Sequence, residues 1–319
     1  MNYQQLLDKE KQKHEIIKTT AGTAVMLCIM SCVFMLALQI ILAHIPFSST
    51  NEILSSLYTI VTYVCYLSLP FLFLSLCFKH FFKKVDTQLY KRNSPKKPFL
   101  YITGTLGIGY LTNLIVVTLF SGFVEHHAVG ESVVPETTVG IILLYISNAV
   151  LPAILEEWAF RGVICKNLLP YNKKGAIIVS SFLFGLMHIN PATIIFTTII
   201  GILLGICFSY TGSLKIPMLI HFLNNAIATT TSVFFSEQKE SLLILIPTLL
   251  IFALLGLGIT AIIYYSRKGI SKTKISLIKS KAIEYKLSFR QFMSKAIINY
   301  GVIPLAFMYV LFYMLYYLF

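Results

Sequence analysis

Residues 138–161 read TVGIILLYISNAVLPAILEEWAFR, an apolar run of more than 20 residues that ends on two glutamates and an arginine. Coiled as a helix at about 1.5 Å per residue, such a run crosses a hydrocarbon core roughly 30 Å thick. Eight further apolar runs flank it, at 19–44, 54–78, 99–124, 175–190, 192–212, 216–235, 241–266 and 297–319. Together with 138–160 they take up well over half of the 319 residues. Their length and continuity predict helices, because barrel strands would show only about ten residues of alternation. The expected fold is all-α, a polytopic integral membrane protein with about 8–9 transmembrane helices whose chemistry lies in a helix bundle.

Composition agrees. The chain is 56% hydrophobic and only 12% charged, with mean hydropathy +0.77, whereas a soluble domain carries roughly 25% charged residues. The longest stretch outside an apolar run, Arg267 to Lys295, is too short for a soluble domain. The expected division is N-terminal helices 1–3 over 1–135, a core over 136–235, and C-terminal helices with a basic cytoplasmic loop over 236–319.

The net charge of +13 comes from 26 basic and 13 acidic residues, and the basic ones alternate from loop to loop. Lysine and arginine cluster before the first run, from Lys79 to Lys97, from Arg161 to Lys174, at Lys215, and from Arg267 to Lys295. The intervening loops contain only Lys239, and 125–137 holds Glu125, Glu131 and Glu136. This positive-inside pattern predicts a multi-pass plasma-membrane protein with a cytoplasmic N-terminus and, after nine crossings, an external C-terminus. It assigns the basic excess to topology and anionic lipid, with the bilayer as partner and no nucleic acid.

The first run lacks a small-x-small cleavage site and reads as an uncleaved signal anchor. The six cysteines form no C-x-x-C pair, so neither a disulfide framework nor a thiolate metal site is expected. The C-terminal residues carry no cysteine for prenylation. Pro70, Pro152, Pro217, Pro247 and Pro304 are expected to kink helices or break their first turns. Gly201 and Gly205 form a G-x-x-x-G step expected to allow close helix packing. Gln39, Asn113, Asn148 and Asn224 read as packing contacts, and His126 and His127 as residues of a solvated outer loop.

Ionisable residues inside apolar runs are costly and mark sites, paths or partners. Three clusters stand out: Glu156-Glu157 with Arg161, Phe184 with His188, and His221 with Asn225. Each has a four-residue step, which stacks its members one turn apart on a helix face. Glu157 then lies beneath Arg161, while Glu156 points about 100° away. One glutamate is expected to be neutralised by the arginine and the other left free for proton chemistry.

The set E-E-x-x-x-R, F-x-x-x-H and H-x-x-x-N, in this order on separate helices, resembles the CPBP family of CAAX proteases and bacteriocin-processing proteins, also called Abi. The resemblance covers roughly residues 140 to 230. It implies an intramembrane endopeptidase of the glutamic type, a class formerly viewed as metalloenzymes, acting on a membrane-associated peptide or protein. Carried over residue by residue, Glu156 would be the base that activates water and His188 would hold that water. His221 and Asn225 would stabilise the oxyanion, and Glu157 with Arg161 would fix the helix end. No cofactor is implied on this reading. The competing reading is a zinc set of Glu156, His188 and His221, disfavoured because Asn225 is a poor zinc ligand and a natural oxyanion donor.

Counting rise from flanking lysines puts His221 about 9 Å and His188 about 21 Å into the bilayer. Tilt, lysine snorkelling or a shortened fifth helix ending near Asn190-Pro191 would reconcile them around a site open to the cytoplasm. Two functional classes stay open: processing of a CAAX-type or leader peptide, and a non-proteolytic bacteriocin-immunity or regulatory protein of the same fold. A proton-coupled transporter is disfavoured, since no repeated pair of broken helices is present. The 22 lysines against four arginines suggest an AT-rich bacterial source. Oligomeric state and substrate identity are not encoded in any readable motif.

Overall fold

The computed structural model describes residues 4, 5, 7, 8, 11, 51–77, 98–119, 134–169, 172–188, 191–237, 245–268 and 288–297. The runs at 19–44 and 297–319 fall essentially outside these residues, as do the loop with His126 and His127, Gln39, Pro304 and most of the two long basic segments. Among the described residues every regular element is helical and none is a strand.

The elements are α1 (Glu52–Cys77), α2 (Pro98–Leu119), α3 (138–168), α4 (Lys173–Leu186), α5 (Pro191–Thr211), α6 (Lys215–Glu237), α7 (Leu245–Lys268) and α8 (Phe289–Ile297). Their starts are written in the sequence. Asn51, Thr137 and Asn172 cap α1, α3 and α4 through side-chain oxygens that accept backbone N–H groups. Ser288 and Gln291 cap α8 reciprocally. Pro191 starts α5, and α4 stops at Leu186, short of the expected 190.

Three stretches are long and apolar enough to cross a membrane, Phe99–Val116, Thr138–Cys165 and Thr193–Thr211, with shorter apolar helices at Glu52–Cys65 and Leu249–Ala261. The sequence expectation of eight or nine crossings is thus met by three of the described helices. Two of those that fall short are instructive. Helix α4 has 14 residues, about 21 Å of rise. Helix α6 has 23 but carries His221, Asn224, Asn225 and three successive threonines, Thr229 to Thr231.

Helix α3 is not the regular α-helix that the sequence suggests. It alternates α-helical Thr138–Tyr145 and Leu151–Glu156 with wider π-helical turns at Ile146–Val150 and Glu157–Cys165. Pro152 supplies a cause for the first: it has no N–H for the carbonyl of Asn148, and its ring crowds that carbonyl. A π-turn there widens the helix, a feature frequent at functional sites.

Helix α3 packs on α1, α4 and α6, and α4 lies along α5. Gly201 and Gly205 make the last contact, facing Ser181, Phe184 and Ile177 of α4, as the G-x-x-x-G step predicts. Helices α2 and α7 approach more closely still, where a Cβ on Gly107 would stand 2.1 Å from the Leu254 carbonyl oxygen. Two apolar clusters result: one around Phe160, Leu168, Leu183 and Phe184, the other around Leu106, Leu204 and Leu254. Helix α8 joins the first through Phe292, which is fully buried against Gly175 of α4. The sequence places these residues at the end of a solvated basic loop; the aromatic face of the helix is what docks it.

Candidate active site

At the junction of α3, α4, α5 and α6, Arg161 and Glu157 are both fully buried. Arg161 Nη1 donates to Glu157 Oε1 at 2.8 Å, and Nη2 donates to the Gly201 carbonyl of α5 at 3.1 Å. The guanidinium also lies over the Phe184 ring, 4.5 Å from its centroid, a cation–π contact that ties in α4. The i,i+4 pairing expected from sequence therefore forms, although the turn that carries it is π-helical.

His221 of α6 completes the cluster. Its Nδ1 is 3.0 Å from Glu157 Oε1 and its Nε2 is 3.8 Å from Glu156 Oε2. A carboxylate that accepts from Arg161 assigns the hydrogen of this contact to His221 Nδ1. The two glutamates diverge as expected but reach the same imidazole, from its two nitrogens. Glu156 Oε1 accepts a hydrogen bond from the Tyr63 hydroxyl of α1 at 2.5 Å, whereas its Oε2 is buried and has no hydrogen-bond partner among the described residues.

His188 and Asn225 stand at the edge of this cluster. His188 Nδ1 lies 3.0 Å from its own helix's Phe184 carbonyl, and its ring meets Phe184 edge-on at 5.0 Å. The same Phe184 ring meets His221 edge-on at 5.9 Å, so one phenylalanine touches both histidines. Asn225 Nδ2 donates to the Asn148 carbonyl at 3.1 Å, the group that Pro152 leaves without a helical partner. Its Oδ1 accepts from Asn224. Asn224 and the backbone of Asn148 thus support Asn225, beyond the packing role expected for them.

Among the described residues no three His, Cys, Asp or Glu side chains are grouped to hold an ion. Glu156, His188 and His221 do not form such a group.

Tyr63 was not legible in the sequence. It is one of 18 tyrosines, in an apolar run without a motif, 93 residues from the glutamate it touches.

Apolar helices meeting on a buried carboxylate, guanidinium and imidazole cluster mark a helical membrane protein. Residues 138–227 match the family model described as type II CAAX prenyl endopeptidase Rce1-like, in agreement with the CPBP resemblance. Glu156, Glu157, Arg161, His188, His221 and Asn225 all lie inside the matched stretch, and Tyr63 lies outside it. The match supports a membrane-protease-like function of the CAAX type. No curated protein and no solved structure matches the chain.

Proposed function

We propose that the protein is an intramembrane endopeptidase that hydrolyses a peptide bond of a membrane-associated peptide or protein with a glutamate-activated water. The observation that carries this reading is Glu156: one oxygen is held by Tyr63, and the other is buried beside an imidazole nitrogen without a hydrogen-bond partner among the described residues. Glu156 Oε2 takes a proton from the water as its oxygen bonds to the scissile carbonyl carbon. The oxyanion that forms is stabilised by donors on the α6 side, His221 Nε2 when protonated and the second Asn225 N–H. Glu156 then returns the proton to the leaving nitrogen as the C–N bond breaks. His188 presents Nε2, the nitrogen not turned to Phe184, to the water. The buried Glu157 carboxylate holds the His221 ring through Nδ1 during the step.

No metal takes part in this mechanism, so activity of the purified protein is expected to survive chelation; stoichiometric zinc with chelator-sensitive activity would overturn that element. The site opens toward the cytoplasm in a multi-pass plasma-membrane protein. Its depth supports this: Gly162, beside Arg161, faces Leu214 at the start of α6, so the lysine-bearing ends of α3 and α6 lie together. A composition typical of an AT-rich bacterium favours leader-peptide or bacteriocin processing over prenylated CAAX substrates.

One observation favours the alternative, a non-proteolytic immunity or regulatory protein. His188 and Asn225 both engage backbone carbonyls of the bundle, which is what purely structural residues do. The two readings separate in the native host. Membranes and medium from wild type, Glu156→Gln and His188→Ala strains, matched for protein level, are compared by peptide mass spectrometry. Accumulation of the same unprocessed species in both variants is expected. Peptide profiles identical to wild type would overturn the proteolytic reading.

A further inference from the structure

Helix α1 lies outside the stretch that matches the protease family, yet it reaches the reacting carboxylate. Glu156 projects from α3 where an α-helical segment passes into a π-helical one. The contacts of this carboxylate, Oε2 3.8 Å from His221 Nε2 of α6 and Oε1 on Tyr63 of α1, lie outside α3. The contact that fixes its rotation is the Tyr63 hydroxyl on Oε1. A phenol donates one hydrogen and cannot take up a second orientation without losing the bond, so Oε2 is left as the oxygen directed toward His221. Tyr63 is itself held, since its ring packs against the cluster around Phe160 and Phe184. The start of α1 is clamped to the same partner helix: Glu52 accepts from the Glu136 and Thr137 N–H groups and from the Thr137 hydroxyl.

We propose that Tyr63 is a positioning residue for Glu156, donating to Oε1 so that Oε2 is the oxygen that removes the water proton. This rests on the endopeptidase reading above. It makes the working site a product of α1 as well as of the matched stretch, and it separates two properties of Glu156 that substituting the glutamate removes together: its presence and its aim.

The test uses the full chain in lipid nanodiscs and, as probe, a quenched fluorescent peptide copied from the precursor that accumulates in Glu156→Gln membranes. Tyr63→Phe keeps the ring and removes the donor. It is expected to lower kcat about 10- to 100-fold, the worth of a hydrogen bond to a charged group, with KM within about twofold of wild type. Thr62→Val, which removes a bond from the neighbouring side chain to its own helix at Tyr58, is expected to leave both constants unchanged. Incorporation of 3-fluorotyrosine at position 63 restores a donor in an almost unchanged shape and is expected to retain kcat. If Tyr63→Phe turns over like wild type while Glu156→Gln is inactive, the positioning role is wrong and the endopeptidase reading stands. If the fluorotyrosine protein loses as much kcat as Tyr63→Phe, the donor is not what matters and the proposal is overturned. If wild type and Glu156→Gln do not differ, both readings fall.

Discussion

Helices α2 and α7 meet at a seam of small residues, whereas α3, α4, α5 and α6 meet around a buried ion pair and an imidazole. In the first region Gly107 and Gly258 bring backbones into contact and Ala261 fills the space beside Gly104, so shape alone holds the pair. In the second, Glu157 and Arg161 are fully buried, and among the described residues Glu157 Oε2 and Arg161 Nε lack hydrogen-bond partners. Small-residue packing shows what this chain uses when only adhesion is needed. A partly satisfied ionic junction is a poor device for adhesion, because desolvation offsets much of its Coulombic gain. The contrast teaches that the junction's composition answers to chemistry as well as to packing.

The sharpest way to break the comparison is at Arg161. Arg161→Met leaves the Glu157 carboxylate buried with only His221 beside it, and is expected to cost about 3–5 kcal/mol. The expected readout is loss of the folded protein in a detergent-resistance or thermal-melting assay. Adding Glu157→Leu to Arg161→Met should recover most of that loss in stability, without recovering turnover. If the double variant melts as low as the single one, the junction is needed for the fold itself.

At the other seam, Gly107→Ala places a methyl group within 2.1 Å of the Leu254 carbonyl oxygen and against the Gly258 backbone. Backbone must move apart, with an expected cost of about 1–3 kcal/mol. The melting temperature should fall while kcat per folded molecule holds. A fall in kcat with an unchanged melt would show that the two regions are not separable.

The smallest effect is expected at Glu52, outside the apolar run. The Glu136 N–H and then the Thr137 hydroxyl hold its carboxyl below its ordinary value of 4.5. A group with a lowered folded value contributes stability that is fully present above about 4.5 and is lost as pH falls through the lowered value. The side chain is solvent-exposed, so the effect is local. Hydrogen exchange at the Glu136 and Thr137 amides should speed up modestly in Glu52→Gln and, in wild type relative to that variant, on acidification. Equal protection in both proteins at neutral pH would remove the clamp from the account.

The parts of this architecture that were legible in sequence are those where an ionisable residue interrupts an apolar run. Glu156, Glu157, Arg161, His188, His221 and Asn225 announce themselves because charge and amide groups are rare there, and the pairing of Glu157 with Arg161 follows from their spacing. Most of the helices could be placed because long apolar runs have few alternatives. What escaped the sequence depends on partners far along the chain. Tyr63 is indistinguishable from other tyrosines until α1 is laid against α3. The convergence of both glutamates on His221 needs α6 laid against α3, and Pro152, the cause of the first π-helical turn, reads equally well as a simple kink. The docking of α8 rests on Phe292 finding Gly175, 117 residues away in the chain, and no local pattern carries that contact.

The central claim is that two adjacent glutamates divide the work: Glu157 organises the junction and Glu156 reacts. Glu156→Gln and Glu157→Gln, compared in one preparation for thermal melting and for cleavage of the accumulated precursor, test it directly. The account predicts that Glu156→Gln melts like wild type and loses cleavage by about 10²–10⁴-fold, while Glu157→Gln melts markedly lower. Cleavage retained in Glu156→Gln, or equal destabilisation by the two substitutions, would contradict it.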